Sequence, residues 1–378
     1  MMKSLTEISF LNGQIMNHNP LASGSWSFIE RSMLKGLRCF DPEIAHNLSI
    51  CALQRAPHIP EILPSHPALR TKIGSIALEN PLGIAAGFDK NGKLSKQLIQ
   101  CGFGHTEVGT ITPLPQKGNP KPRIFRLRED KGIINRMGFC NDGAEEIKKR
   151  LPTKSQRKGI IGINIGANAT SKDRIHDYEY LIEYFWDIAD YFVLNISSPN
   201  THQLRELQNA NNLTTLLERT QQCRANLENS DSIPLWIKIS PDLTHEECQN
   251  IARLCIEFGV QGIIATNTTT ERALSLKNTH HAHEAGGLSG QPLFEKSTHI
   301  LRTMYQLTEG AIPLIAVGGI ASAEDLYTKI RAGASAAQLY SALAYGGLSV
   351  AGKILDGLIE LLQKNGLNSI AEAVGKDA

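Results

Sequence analysis

Two lysines and four asparagines define the chemistry open to this 378-residue chain. Lys90 and Lys238 are compact positive charges, suited to stabilising negative charge that develops on a ring. Asn164, Asn195, Asn200 and Asn267 each offer a donor beside an acceptor, the complement of the N–H/C=O edge of a pyrimidine or an isoalloxazine. Hardly a carboxylate accompanies them. The set describes a site for a flat, polar, partly anionic ligand. Any one of these amides is as readily a turn cap; their recurrence at matching places argues for function. Three further motifs follow in order: Gly286-Gly287-Leu288-Ser289-Gly290, Gly318-Gly319 and Tyr340-Ser341. Glycine lets backbone N–H groups approach an anion that a side chain would hold off. A lone Gly-Gly is more often a turn, but three such motifs near the last strands point to a phosphate-bearing cofactor.

These residues recur because of the elements that carry them. After residue 70, short β-branched runs alternate with helix-length segments: Leu82–Ala86, His105–Gly109, Ile161–Ile165, Phe192–Ile196, Leu235–Ile239, Gly262–Ala265, Pro313–Val317 and Ala337–Tyr340. Eight strands with helical connections predict an α/β fold, a (β/α)8 TIM barrel, whose active site lies just past the carboxyl ends of the strands. The alternative, an open dinucleotide-binding sheet, calls for a G-x-G-x-x-G after an early strand, and none is present. A proline- and glycine-rich segment around Pro113–Phe139 reads as a looped insertion.

Ahead of the barrel the reading predicts a flexible arm over 1–25 and a helical extension with a linker over 26–69; the catalytic domain covers 70–378. Trp26, Ile29, Met33, Leu37 and Phe40 form one helical stripe, with Arg31, Lys35 and Arg38 opposite. Asp41-Pro42 is an N-cap followed by proline at the first helical position, opening a second helix with Ile44, Leu48 and Ala52 on one side. Pro57, Pro60, Pro64 and Pro67 mark the linker. An apolar stripe opposite a basic one suits a helix lying in a membrane interface, although a helix packed on a barrel can carry the same pattern.

The balance of 39 basic against 37 acidic residues, a net +2, gives no footing for nucleic acid. No apolar run approaches the roughly 20 residues of a spanning helix, and no secretory or transit signal opens the chain. Seven cysteines with no C-x-x-C pair suit free thiols. His280-His281-Ala282-His283 has no Cys or carboxylate partner nearby and reads as a solvated loop, so no metal is expected.

Several stretches resemble class 2, quinone-linked dihydroorotate dehydrogenases: Gly83–Lys90 (GIAAGFDK), Asn135–Phe139 (NRMGF), Asn195–Thr201 (NISSPNT), Ala265–Thr268 (ATNT), Gly287–Gly290 (GLSG), Ala316–Ile320 (AVGGI) and Gln338–Ser341 (QLYS). The resemblance runs from about Phe28 to the C-terminal helix and leaves residues 1–25 outside. It implies FMN over the barrel mouth, contacted by Ala86, Gly87, Phe88, Asp89, Lys90, Thr110, Asn164, Asn195, Lys238, Thr266, Gly290, Gly319, Tyr340 and Ser341. It implies dihydroorotate held by Lys90, Asn135, Arg136, Met137, Gly138, Phe139, Asn195, Asn200, Asn267 and Thr268. Ser198 would be the catalytic base, although Ser before Pro is ordinarily a turn-former. A bare hydroxyl is too weak a base at neutral pH and needs a relay, for which Thr201 is nearest in sequence.

The resemblance further implies a membrane quinone as second acceptor, with His46 and Arg126 lining its access. An anionic lipid surface and a peripheral place on the cytoplasmic face of a bacterial-type inner membrane follow from the same reading, with no obligate iron–sulfur partner subunit. Relatives that use soluble acceptors carry Cys at position 198 and lack the helical pair. A non-enzymatic phosphate-binding barrel is the other alternative, and it predicts a protein without flavin absorbance.

Overall fold

The computed structural model describes residues 30, 32–56, 59, 61–201, 203–228 and 232–378. The arm expected at 1–25, Trp26 and Ile29 of the apolar stripe, and Arg31 of the basic one lie outside the described residues.

A short helix α1 (32–37) leads to α2 (Pro42–Arg55), whose N-cap Asp41 accepts from the amides of Glu43 and Ile44. Next comes a hairpin, β1 (Thr71–Ile73) and β2 (Ile76–Leu78). The barrel begins with β3 (Leu82–Asp89), α3 (Ser95–Gln100) and β4 (His105–Ile111). A second hairpin, β5 (Ile124–Leu127) and β6 (Gly132–Asn135), precedes α4 (Ala144–Lys148). The alternation resumes with β7 (Ile160–Ile165), α5 (Arg174–Tyr184), β8 (Tyr191–Asn195), α6 (Ala210–Ala225), β9 (Leu235–Ile239), α7 (His245–Glu257) and β10 (Gly262–Ala265). It finishes with β11 (Gly287–Gly290), α8 (Phe294–Leu307), β12 (Leu314–Val317), α9 (Ala323–Arg331), β13 (Ala334–Leu339), α10 (Ser341–Gly346) and α11 (Ser349–Lys364).

Eight parallel strands close in the order β3-β4-β7-β8-β9-β10-β12-β13, with β13 pairing back on β3. The strands are buried on both faces, which is why they read as short apolar runs rather than alternating ones. Leucine and isoleucine between strands and helices form the main core. A second cluster lies inside the barrel, where Tyr191 stacks on Trp236 at 3.8 Å. Glycines at the strand starts make room for it: a Cβ on Gly162 or Gly262 would run into those two rings. Ile73, Ile76 and Leu78 of the first hairpin belong to the same cluster, so the hairpin acts as the barrel's floor.

Two expectations change. The segment at Pro113–Phe139 is not only loop: β5 and β6 pair antiparallel, and β6 pairs with β11. Gly287–Gly290, read as a phosphate loop, is therefore a strand, with Leu288 packed against Phe125, Leu127 and Ile134. The linker is tied to the barrel. Ile59, Ile62 and Leu63 are buried in the main core, and the Ile62 and Leu63 amides donate to the Cys101 carbonyl at 3.1 and 3.2 Å.

Candidate active site

The strand ends of the barrel open on a cavity of about 370 Å³. Every barrel strand except β7 supplies lining residues at or just after its carboxyl end: Ala86, Gly87 and Lys90; Thr110; Asn195, Ser198 and Asn200; Lys238; Thr266, Asn267 and Thr268; Gly318 and Gly319; Tyr340 and Ser341. The β5–β6–β11 sheet contributes Asn135, Ser289 and Gly290, and the turn after β6 adds Met137, Gly138 and Phe139. The size is that of a small-molecule or cofactor pocket.

One hydrogen-bond chain runs from the barrel interior to this cavity. Glu107, fully buried on β4, accepts from Asn164 Nδ2 at 2.7 Å and from Gln338 Nε2 at 2.6 Å. A carboxylate can only accept, so the Asn164 carbonyl must face the other way. It takes the Thr110 hydroxyl at 2.6 Å, and Thr110 Oγ1 accepts from Asn195 Nδ2 at 2.8 Å. Asn195 then presents its oxygen to Ser197 Oγ at 3.2 Å and to Asn267 Nδ2 at 3.3 Å. Burial pushes the Glu107 carboxyl up, while Lys238 and its amide donors pull it back. Burial likewise pushes Lys238 down, against the Glu107 charge. Lys238 thus lines the cavity with a carboxylate behind it.

Ser198 is buried beside the cavity, and its Oγ accepts from the Asn200 amide at 3.3 Å. Thr201 Oγ1 is buried without a hydrogen-bond partner among the described residues. The loop is clamped from behind by Arg205, which donates to the Ser197 carbonyl at 3.2 Å and the Thr268 carbonyl at 3.0 Å, and pairs with Asp242 at 2.9 Å. Asp242 also takes the Thr270 amide and Lys296, so the loops after β8, β9 and β10 share one anchor.

The residues suit an FMN phosphate and ring. Gly290, Gly318 and Gly319 have φ of 88°, 118° and 80°, which side chains avoid. A Cβ on Gly290 would strike the Lys131 carbonyl, and one on Gly319 the Phe294 backbone. The Ser289 and Ser341 hydroxyls meet at 2.8 Å in the same corner. A buried lysine, a threonine and amides beneath the mouth match the polar edge of an isoalloxazine.

Not every expected residue reaches this cavity. Phe88 and Asp89 line a second one, of about 550 Å³, with His46; Lys90 and Met137 border both. The Asp89 carboxylate is occupied by the amides of Lys93 and Leu94 at 2.8 and 2.7 Å, a cap for its own loop. Asn164 acts from behind Thr110. Arg136 turns away, pairing with Glu284 at 2.7 Å and lying over the Phe125 ring. The His46 ring sits edge-on to Phe88 at 5.8 Å, and burial, with Lys90 nearby, takes it down to about 3. Arg126 donates to the Phe40 carbonyl at 3.0 Å, while Arg38 donates to the Tyr345 carbonyl at 2.6 Å. His281 packs against Phe125.

Glu107, Arg205, Asp242 and Tyr345 escaped the sequence reading, while Gln338 and Ser289 stood inside motifs it named but had no role of their own. Gln338 and Glu107 sit on barrel strands two or three residues before the expected site positions, and that offset was the available signal. Arg205, Asp242 and Tyr345 carry none.

Comparison with known proteins identifies the family. The family described as Dihydroorotate dehydrogenase matches residues 68–362. A protein of Cereibacter sphaeroides named Dihydroorotate dehydrogenase (quinone) is 47% identical over 350 residues, covering 92% of this chain and 98% of that one. One of the same name from Parvibaculum lavamentivorans is 48% identical over 337 residues, covering 89% and 95%. A crystal structure of DHODH from Eimeria tenella in complex with ferulenol superposes with a TM-score of 0.85 at 38% identity, covering 89% of this chain and 96% of that one. With a closed eight-stranded barrel, a polar cavity at its mouth and this kinship over nearly its whole length, the chain belongs to the dihydroorotate dehydrogenase family.

Proposed function

We propose that the chain oxidises dihydroorotate to orotate at the barrel mouth and passes the electrons to a membrane quinone. By kinship it is an FMN-dependent oxidoreductase of pyrimidine biosynthesis, of the quinone-linked type. The observation that carries the site assignment is the convergence on one cavity of Ser198, Lys90, Lys238 and the amides Asn135, Asn195, Asn200 and Asn267.

FMN, when bound, supplies the acceptor for a hydride. The substrate ring loses that hydride from one carbon and a proton from its neighbour, leaving the new C=C bond. Ser198 Oγ takes the proton. Its weakness as a base is offset by two lysines lining the same cavity, which favour negative charge on the substrate, and by Thr201 as the next hydroxyl of a relay. Lys90 meets the substrate carboxylate; Asn195, Asn200 and Asn267 meet its ring edge, with the polarity of Asn195 and Asn267 set from Glu107. Gly290, Gly319 and Ser341 take the phosphate.

Residues 26–69 serve as the quinone and membrane unit. Met33, Phe40, Ile44 and Leu48 are exposed large apolar side chains on and between α1 and α2. They supply the apolar foot, with His46 and Arg126 at the access route. Lys35 is exposed for anionic lipid, whereas Arg38 is partly spent on the Tyr345 carbonyl. No helix among the described residues is long and apolar enough to cross a membrane. No iron–sulfur partner subunit is needed on this route.

Anaerobic dihydroorotate added to the yellow holoprotein should bleach the flavin band, and a short-chain quinone should restore it. A preparation that binds FMN but is not bleached would refute the assignment.

A further inference from the structure

Lys329 on α9 has no exposed surface and does not line the cavity. Its ammonium donates to Ser297 Oγ at 2.6 Å and to the Phe294 carbonyl at 3.3 Å, and lies 4.8 Å from the centre of the Phe294 ring. Its direct partners are therefore a hydroxyl, a carbonyl and a ring, not a carboxylate. Ser297 Oγ in turn reaches the Gly318 carbonyl at 3.1 Å. Gly319 presses on Phe294 so closely that no Cβ fits between them. Both hydrogen bonds and the ring contact of this lysine go to the start of α8, and through Ser297 to the Gly318–Gly319 turn.

Burying an ammonium without a paired carboxylate is costly, and a chain keeps such a charge where an anion repays it. Burial holds the Lys329 ammonium down to about 7, against the more distant pull of Glu295 and Asp325 and with the push of Arg302. An anion beside the turn would complete the pairing. The glycines at that turn are those that line the cavity.

We infer that Lys329 is a positioning residue for the FMN phosphate: from behind the Gly318–Gly319 turn it supplies a buried positive charge and, through Ser297 and Phe294, holds the turn in place. The inference rests on the reading that this turn takes the phosphate. A lysine that merely packs would affect stability but would not distinguish a flavin with phosphate from one without.

The test incubates holoprotein with excess riboflavin, separates protein from free flavin, and measures bound FMN against bound riboflavin, alongside the melting temperature. Lys329→Met should lower the preference for FMN about tenfold or more, and Ser297→Ala should lower it by a smaller factor. Gly319→Ala tests the underlying reading. If it keeps the wild-type preference, the phosphate is not at this turn and the reading falls. If Gly319→Ala loses the preference while Lys329→Met and Ser297→Ala keep it, the lysine is packing alone and only the inference falls. Should Lys329→Met fail to fold, Ser297→Ala decides.

Discussion

Ser198 lines the cavity, while Glu107 stands at the buried end of the polar chain that leads toward it. Ser198 is the group that touches the reacting carbon in the proposed step. Ser198→Ala should retain FMN and lose about 10²–10⁴ in the rate of flavin reduction, read by stopped-flow absorbance with dihydroorotate. A variant as fast as wild type would remove serine from the chemistry. Glu107 touches no substrate; it is an acceptor-only group that forces the Asn164 amide, and hence Thr110 and Asn195, into one polarity. Glu107→Gln can donate as well as accept, so that polarity is no longer imposed. Orotate affinity should fall about tenfold, measured by titrating the flavin spectrum, with little change in FMN content. Unchanged orotate binding would show that the amides orient themselves.

Among the elements, the loops after β8, β9 and β10 stand or fall together because Asp242 holds all three. Burial alone would raise its carboxyl, but Thr269, the Thr270 amide, Lys296 and Arg205 together bring it down to about 2. A folded-state value below the unfolded one means that deprotonation favours the fold. The contribution is complete above the ordinary Asp range near 4 and is lost as pH falls through about 2. It amounts to about 2 kcal/mol. Thermal melts between pH 6 and pH 2 should show a steeper acid loss for wild type than for Asp242→Asn. Parallel curves would place the acid sensitivity elsewhere.

Over the whole molecule, α1 and α2 are fastened to the barrel by polar contacts and by Ile50 and Leu53 of α2, while several of their other apolar side chains stay outside. Glu30 accepts the Ser349 amide at 3.0 Å at the start of α11, and Glu43 forms a two-pronged pair with Arg123 at 2.7 and 3.0 Å. Ile44 and Leu48 are about half exposed, at 49% and 43%, on the side of α2 away from buried Glu43 and Ala45. Replacing Met33, Phe40, Ile44 and Leu48 together with Ser should cut liposome binding about tenfold or more. Activity on a long-chain quinone in vesicles should fall with it, and reduction of a soluble dye should not. Undiminished vesicle activity would leave the patch without a membrane role.

How much of this was legible depended on range. The eight barrel strands could be read from the sequence because strands buried on both faces appear as short apolar runs between turns. Leu235–Ile239 and Gly262–Ala265 have the expected bounds, and the polar residues closing each run fall at the mouth. Local signals such as Asp41-Pro42 also held, since an N-cap is decided within one turn of chain. What needed the tertiary structure was whatever depends on a distant partner. Gly287–Gly290 becomes a strand only by pairing with β6, about 150 residues earlier. Phe88 and Asp89 follow Ala86 and Gly87 directly, yet they line the other cavity, because the chain turns there and the Asp89 carboxylate is taken by its own loop. Arg136 sits in the same motif as Asn135 but is drawn off by Glu284. Residue type and spacing determined where polar groups gather; which way each one faces, and what charge stands behind it, was decided by neighbours that only folding supplies.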